Sequence, residues 1–413
     1  MFRFIVDRLQ SFAHGKVRLS LNVLMLHNSY QFRGGEDESF ESEVRMLRAE
    51  GHYVETIHIN NSQIEASGKI HVAIQSLWSG QSYELVDRKL QEGQFDVLHV
   101  QNFFPLLSPS VYYAARKHGV AVVQTLRNYR LLCPNVYFFR DGHVCEDCMG
   151  KVFKYPGILH GCYRGSRMAT AAVAAMTAFH TLKGTWLNAV DLYIALTEFT
   201  RNKFIEAGFP PDKLVVKSNF VYPDPGCGDG AGGYALFVGR LSPEKGLETL
   251  LAAWKLLKRD WTLKIVGEGP LSPLVEEFCA GHPEVEWLGA QPRAEIGRLM
   301  GAARVLVFPS EWYETFGRVA IESFAAGTPV IASRLGAMAE VGEEMRTGLL
   351  FTPGDPQDLA EKLRWILDNP VQVEAMRLAA RQTYETKYTM HENCRILIQA
   401  YESARLASVS ARN

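Results

Sequence analysis

The sequence predicts an α/β protein built as two doubly wound parallel-sheet domains facing a cleft. Three observations predict it. Apolar runs of strand length alternate with amphipathic helical segments from residue 21 onward. The stretch "YPDPGCGDGAGG" (222–233), where Pro, Gly and Asp replace apolar periodicity, interrupts that pattern as a linker. Beyond it the same alternation starts again.

Taken in order, "LNVLMLHNSY" (21–30) reads as a buried strand, "QFRGGEDES" as a glycine-rich loop, and "FESEVRMLRAEGH" as an amphipathic helix ending at Gly51. The strand "YVETIHI" (53–59) follows, then "FDVLHVQN" (95–102), a helix through "SPSVYYAARKHG" and the strand "VAVVQTL" (120–126). In the second half, "YALFVGRLSPEKGLETLLAAWKLL" gives strand, loop and helix, and "WTLKIVGEGPLSPLVEEFC" repeats them. "VEWLGA", "ARVLVFPS" and "TPVIASRLG" add three strands. Paired halves of this kind bind ligands in the crevice at the carboxyl ends of their strands. The loops with chemistry in this chain all follow strands.

A length of 413 residues suits two domains, each with its own core. The net charge of -1 argues against bulk attraction to nucleic acid, so no such partner is expected. No run reaches the roughly 20 apolar residues of a membrane span, and "MATAAVAAMTAF" (168–179) reads as a buried helix. The first residues lack the apolar core of a signal peptide. They do set Phe2, Ile5, Leu9 and Phe12 on one helical face with Arg3, Arg8, Lys16 and Arg18 nearby. That fits a weak interfacial helix and a peripheral membrane contact, and equally a disordered start or an upstream initiation codon. Seven cysteines, an odd number, without a secretory signal point to a reducing compartment, hence a cytoplasmic protein, at most peripheral at the inner face of the membrane.

Two loops carry the chemistry. In "VGRLSPEKG" (238–246), Arg240 and Lys245 flank a turn feeding a helix, and two cations backed by helix-start amides make a site for a phosphate or diphosphate. "ETFGRVAIE" (314–322) reads as a helix start, with Thr315 as the N-cap and Gly327 beyond the C-terminus. Glu314 and Glu322 would then lie at most roughly 12 Å apart at ~1.5 Å rise per residue, about the length of a sugar plus a phosphate. Carboxylates accept paired hydrogen bonds from adjacent hydroxyls, so Glu314 suits a sugar and Glu322 a ribose, with Phe316 and Gly317 offering amides between them. An ordinary helix with one capping and one solvated acid explains the same residues.

Together, "GRLSPEKG" and "FPSEWYETFGRVAIESFAAGTPVIAS" closely resemble the retaining glycosyltransferases of family 4, with their E-x7-E motif met by Glu314 and Glu322. The resemblance runs from about residue 20 to the C-terminus and takes in "SYQFRGGED", "NYRLLCPN", "ALTEFTRNKFIEAGFPPDK" and "VGEGP". It implies the GT-B fold, two Rossmann-like domains, with an acceptor-side domain over residues 1–221 and a nucleotide-sugar-binding domain over 222–390. The last helix, about 391–413, would pack back on the first domain. Implied, too, is transfer with retention from a nucleotide-sugar donor to a saccharide or lipid-linked saccharide in surface polysaccharide synthesis. Arg240 and Lys245 would hold the diphosphate, Glu314 the donor sugar and Glu322 the ribose. Phe316, Gly317, Gly34, Gly35, Arg127, Asn128 and Gly267 would complete the substrate-binding set. A plain tight turn accounts equally for the two glycines of "RGG".

No Asp-x-Asp pair occurs in the chain, so no cofactor is expected for catalysis and the two cations would neutralise the leaving diphosphate. Two positions depart from the family pattern. "TLRNY" has Arg127 where His is usual, and "HVQN" has Gln101 in a similar place. Arg127 is expected to point from a strand end into the cleft, where it can donate to a hydroxyl or phosphate but cannot act as a base. A sugar-nucleotide-binding protein without turnover, or a nucleotide-sugar epimerase of the same fold, is the alternative. Finally, Cys133, Cys145, Cys148 and Cys162 include a C-x2-C pair at metal-ligand spacing and make a set of four for structural zinc; four reduced thiols or a redox pair are the other readings.

Overall fold

The computed structural model describes residues 20–29, 34–61 and 68–410. The interfacial helix expected at the start of the chain lies outside them.

The first sheet contains β1 (Asn22–Ser29), β2 (Tyr53–Asn60), β3 (Val97–Asn102) and β4 (Ala121–Thr125). A two-residue-per-strand hairpin, β5 (Phe139–Arg140) and β6 (His143–Val144), stands apart from it, and β7 (Leu192–Ala195) and β8 (Leu214–Val216) complete it. The second sheet contains β9 (Ala235–Val238), β10 (Leu263–Val266), β11 (Val285–Trp287), β12 (Val305–Phe308), β13 (Val330–Ser333) and β14 (Gly348–Phe351). The orders are β2-β1-β3-β4-β7-β8 and β11-β10-β9-β12-β13-β14, with every pairing in both sheets parallel. Helices cover both faces, which is why β3, β4, β12 and β13 are buried along their whole length; β12 is wholly apolar, β13 nearly so, and β3 and β4 each bury polar side chains toward their carboxyl ends.

Strand order reverses between β1 and β3 in the first sheet and between β9 and β12 in the second. Loops leaving adjacent strands at such a point run to opposite faces and open a crevice. In the second domain those loops are the two motifs singled out above.

Several boundaries differ from the sequence reading. The helix expected from Phe40 begins at Gly35 and runs to Ala49. Asp37 explains the early start, because its carboxylate accepts from the Gly34 N–H at 2.8 Å and three acids occupy the first turn. The helix of the second motif is Arg318–Ala325, and Thr315 is not its cap. Gly317, at φ 82°, precedes the first helical residue, while the Thr315 hydroxyl donates to the Arg127 carbonyl at 3.1 Å in the other domain. Gly327, at φ 71°, ends the helix as expected. The "MATAAVAAMTAF" segment lies in the helix Arg167–Leu182, whose one face is buried through Val173, Ala174 and Met176 while Met168, Phe179 and Leu182 are exposed.

The chain passes between domains twice. Val221 N–H donates to the Tyr388 carbonyl at 3.1 Å, tying the two crossings together. After the second crossing, the helix Met390–Ser410 inserts Cys394, Leu397, Tyr401 and Ala404 into the first domain's core beside Val23, Met25 and Val123. No helix among the described residues is long and apolar enough to cross a membrane.

Candidate active site

The loop after β9 turns through Pro243–Lys245 and closes at Gly246, at φ 68°. A Cβ there would stand 1.8 Å from the Pro309 carbonyl oxygen in the loop after β12, so only glycine lets these loops lie back to back. As a result Lys245 Nζ meets Glu314 Oε1 at 2.5 Å. Glu314 is 7% exposed, and the same oxygen accepts from Ser310 Oγ and Trp312 Nε1, each at 2.9 Å. Three donors on one carboxylate oxygen, one of them charged, lock its position. Arg240 is exposed and joins no ion pair among the described residues. The two residues expected to serve diphosphate and sugar separately are therefore an ion pair, beside a cation left available.

Glu322 is held by Arg318 Nε at 2.8 Å and lies 3.7 Å from Arg293. Both arginines also reach across to the first domain, Arg318 to Ser39 at 3.1 Å and Arg293 to Glu38 at 3.0 Å. Phe316 is 3% exposed and packs edge-on to Tyr388, so its ring belongs to the core and only its backbone faces the cleft. Gly317 and Gly267 have packing reasons to be glycine. Added Cβ atoms would lie 2.3 Å from Met338 Sδ and 1.9 Å from the Gly239 carbonyl oxygen. Gly34 and Gly35 have none among the described residues, where a Cβ on either meets nothing within 4 Å, and Gly34 is in ordinary extended backbone. Asn128 donates to Glu36 at 3.1 Å, linking the end of β4 to the helix that these two glycines precede.

Arg127 does not enter the cleft. Its side chain is buried, and its three nitrogens donate to Gln101 Oε1 at 2.7 Å, to Asn219 Oδ1, and to Glu43 Oε1 at 3.0 Å. Glu43 also accepts from Lys217 at 2.7 Å and from Gln101 Nε2 at 2.6 Å. Burial raises the Glu43 carboxyl, but Lys217 and Arg127 pull it down to about 2. A buried carboxylate on the helix Gly35–Ala49 thus holds the guanidinium, which with Gln101 also lines the small cavity beside Arg130. The two departures from the family pattern, Arg127 and Gln101, touch each other and serve one interior cluster.

Several site residues escaped the sequence reading. Ser310 and Trp312 sit beside the recognised motif, and only the geometry shows them on Glu314. Asp37 joins His27 Nε2 at 2.8 Å to the Gly34 N–H, which fixes the start of the glycine loop; His27, Asp37 and the exposed His58 have ligand-type atoms within 4.8 Å of one another. Arg130, 5% exposed, stacks over Phe104 at 4.0 Å and has no partner for Nε or Nη1 among the described residues. It lines a cavity of about 20 Å³ with Asn102 and Asn128. The "NYR" signal for it was in plain view as part of a quoted motif. Cys133, Cys145, Cys148 and Cys162 line one cavity of the first domain.

Two family descriptions match the chain, a glycosyl transferase 4-like domain over residues 34–219 and glycosyl transferases group 1 over residues 230–383. An uncharacterized glycosyltransferase of Methanocaldococcus jannaschii is 32% identical over 181 residues, 43% of this chain and 50% of that protein. A glycogen synthase of Mycobacterium tuberculosis is 33% identical over 176 residues, 41% of this chain and 42% of that protein. The chain thus spans half or less of the length of these relatives. Among solved structures, HepE of Anabaena, in complex with UDP, is 18% identical, with a TM-score of 0.65 over 93% of this chain and 100% of that one. The same protein in complex with UDP-glucose superposes with a TM-score of 0.64. With a glycosyl transferase 4-like domain matched in one half, a glycosyl transferases group 1 domain in the other, and two parallel six-stranded sheets, the chain has the GT-B fold.

Proposed function

We propose that this chain is a retaining glycosyltransferase that moves a sugar from a nucleotide-sugar donor to a saccharide or lipid-linked saccharide in surface polysaccharide synthesis, acting at the cytoplasmic face without a catalytic metal. The observation that carries the proposal is the Lys245–Glu314 pair at 2.5 Å beside the exposed Arg240, at the reversal point of the second sheet. Arg240 and Lys245 attract the donor diphosphate and stabilise the charge that grows on it as the glycosidic bond breaks. Glu314, fixed by Ser310 and Trp312, turns its remaining carboxylate oxygen to the donor hydroxyls. Glu322 takes the ribose once Arg293 or Arg318 yields it. Gly34 and Gly35, where no described residue lies within 4 Å of an added Cβ, would let donor and acceptor approach the backbone closely. Across the cleft, the unpartnered nitrogens of Arg130 suit a phosphate of a lipid-linked acceptor. UDP and UDP-glucose in the HepE structures make uridine donors the first to try.

Thermal shift with a panel of nucleoside diphosphates, followed by transfer assays with the matching donor sugars, tests the reading. Arg240→Ala should weaken donor binding and slow turnover together, and anomeric analysis of the product should show retention. Abolition of transfer by chelator, with recovery on adding magnesium, would contradict the metal-free assignment; an inverted product would contradict retention.

A further inference from the structure

Cys133 follows a turn after β4, Cys145 and Cys148 follow the β5–β6 hairpin, and Cys162 follows the helix Tyr155–His160. Three separate segments thus deliver four thiols to the wall of a single cavity of about 10 Å³. That is room for one water-sized sphere.

Charge around the cavity points the same way. Lys154 is 7% exposed, donates to the Lys151 carbonyl, and pairs with no carboxylate among the described residues. A buried ammonium without a counter-charge is costly, and the same residue's backbone carbonyl accepts from Cys148 Sγ at 4.0 Å. Arg140, paired with Asp147 at 3.0 Å, also lines the cavity. Neutral thiols leave Lys154 uncompensated. A divalent ion held by four thiolates carries a net charge of about −2 and compensates it. The backbone is unusual here as well, since four of the seven non-glycine residues with positive φ among the described residues, Val136, Phe138, Asp141 and Arg164, fall in this segment. Positive φ disfavours a β-branched residue such as Val136 and persists only where the surroundings enforce it.

We infer that Cys133, Cys145, Cys148 and Cys162 bind one structural zinc ion as a tetrathiolate. Binding converts four thiols to four thiolates and releases their four protons to solvent, with no change of oxidation state. The ion crosslinks the segment that carries Tyr137 and Phe138. Those rings pack edge-on against Trp312 and Tyr313 at 4.9 and 5.9 Å, next to the indole that bonds Glu314. The site is structural, and its assignment does not depend on the transferase reading.

Protein isolated without chelators from zinc-supplemented cells, analysed by inductively coupled plasma mass spectrometry, should contain about one zinc per chain. Cys227→Ser, at an exposed linker cysteine, should keep it, while Cys145→Ser should lose it and melt earlier. Should Cys145→Ser fail to fold, titrating the parent with an organomercurial in the presence of a zinc-sensitive dye should release the ion as about four thiols react. Metal-free parent protein, full zinc retention in Cys145→Ser, or an intact mass showing disulfides among these cysteines would overturn the inference.

Discussion

Replacing Arg127 with histidine takes a guanidinium out of the first domain's interior and with it hydrogen bonds to Gln101, Asn219 and Glu43. Removing one member of a buried ion pair costs roughly 3–5 kcal/mol when its partner is left alone. Glu43 keeps Lys217 at 2.7 Å and Gln101 at 2.6 Å, which places the expected cost at the low end, about 3 kcal/mol. For a domain of this size that is a fall in melting temperature of about 6–12 °C. Because Arg127 and Gln101 are in contact, Gln101→His combined with Arg127→His should deviate from additivity by about 1 kcal/mol or more. Circular dichroism melts supply the stability, and nucleotide affinity measured on the folded variants at lower temperature should stay within about threefold of the parent (about 0.65 kcal/mol). An Arg127→His protein that melts with the parent yet transfers sugar about tenfold more slowly would refute the reasoning, since it would place the guanidinium in the chemistry and not in the fold.

Three further outcomes are expected. Glu314→Gln keeps the size of the side chain but loses its charge opposite Lys245, so turnover should fall about 100-fold or more while nucleoside diphosphate affinity, by titration calorimetry, changes little; equal losses would contradict a role at the donor sugar. Gly34→Ala meets no atom within 4 Å among the described residues, so its melting temperature should match the parent's while donor KM or turnover worsens about tenfold, and unchanged kinetics would remove the loop from the site. Burial, with Arg127 and Lys217 adding to it, lowers His99 to about 3, while the unfolded chain takes up that proton near the ordinary imidazole value of 6.5. Stability should therefore decline as pH falls below about 6.5, with Glu43 adding to the loss below about 4.5; equal urea unfolding free energies at pH 7 and pH 5 would show that His99 is not held neutral.

The sheets were legible because fully covered parallel strands must be apolar along their length, and runs such as "LNVLML" and "ARVLVF" are that signal. Strands β7, β8 and β14 were missed although, at four, three and four residues, they match β9 to β13, which are three or four residues long, so length alone does not account for it. In the site, residue types at fixed spacing announced Arg240, Lys245 and Glu314, but not that the last two would touch. That contact depends on Gly246 letting one loop lie on another, a relation between segments about 65 residues apart. Arg127 was misplaced for a related reason. Its direction is set by Glu43, on a helix more than 80 residues away in sequence, and no local pattern around "TLRNY" encodes that carboxylate.

The return of the helix Met390–Ser410 to the first domain has a consequence for synthesis on the ribosome. Tyr401 bonds His99 at 2.8 Å, next to the Glu43 cluster, so the first domain's polar interior is closed by residues translated after the entire second domain. At roughly 5–20 residues per second, the nascent sheet waits on the order of ten seconds or more for its last helix, with Val23, Met25 and Val123 uncovered meanwhile. A separately expressed first half should inherit that open flank and bind chaperones or aggregate. Supplying Met390–Ser410 in trans, or fusing it to the first half by a linker, should let that half fold alone.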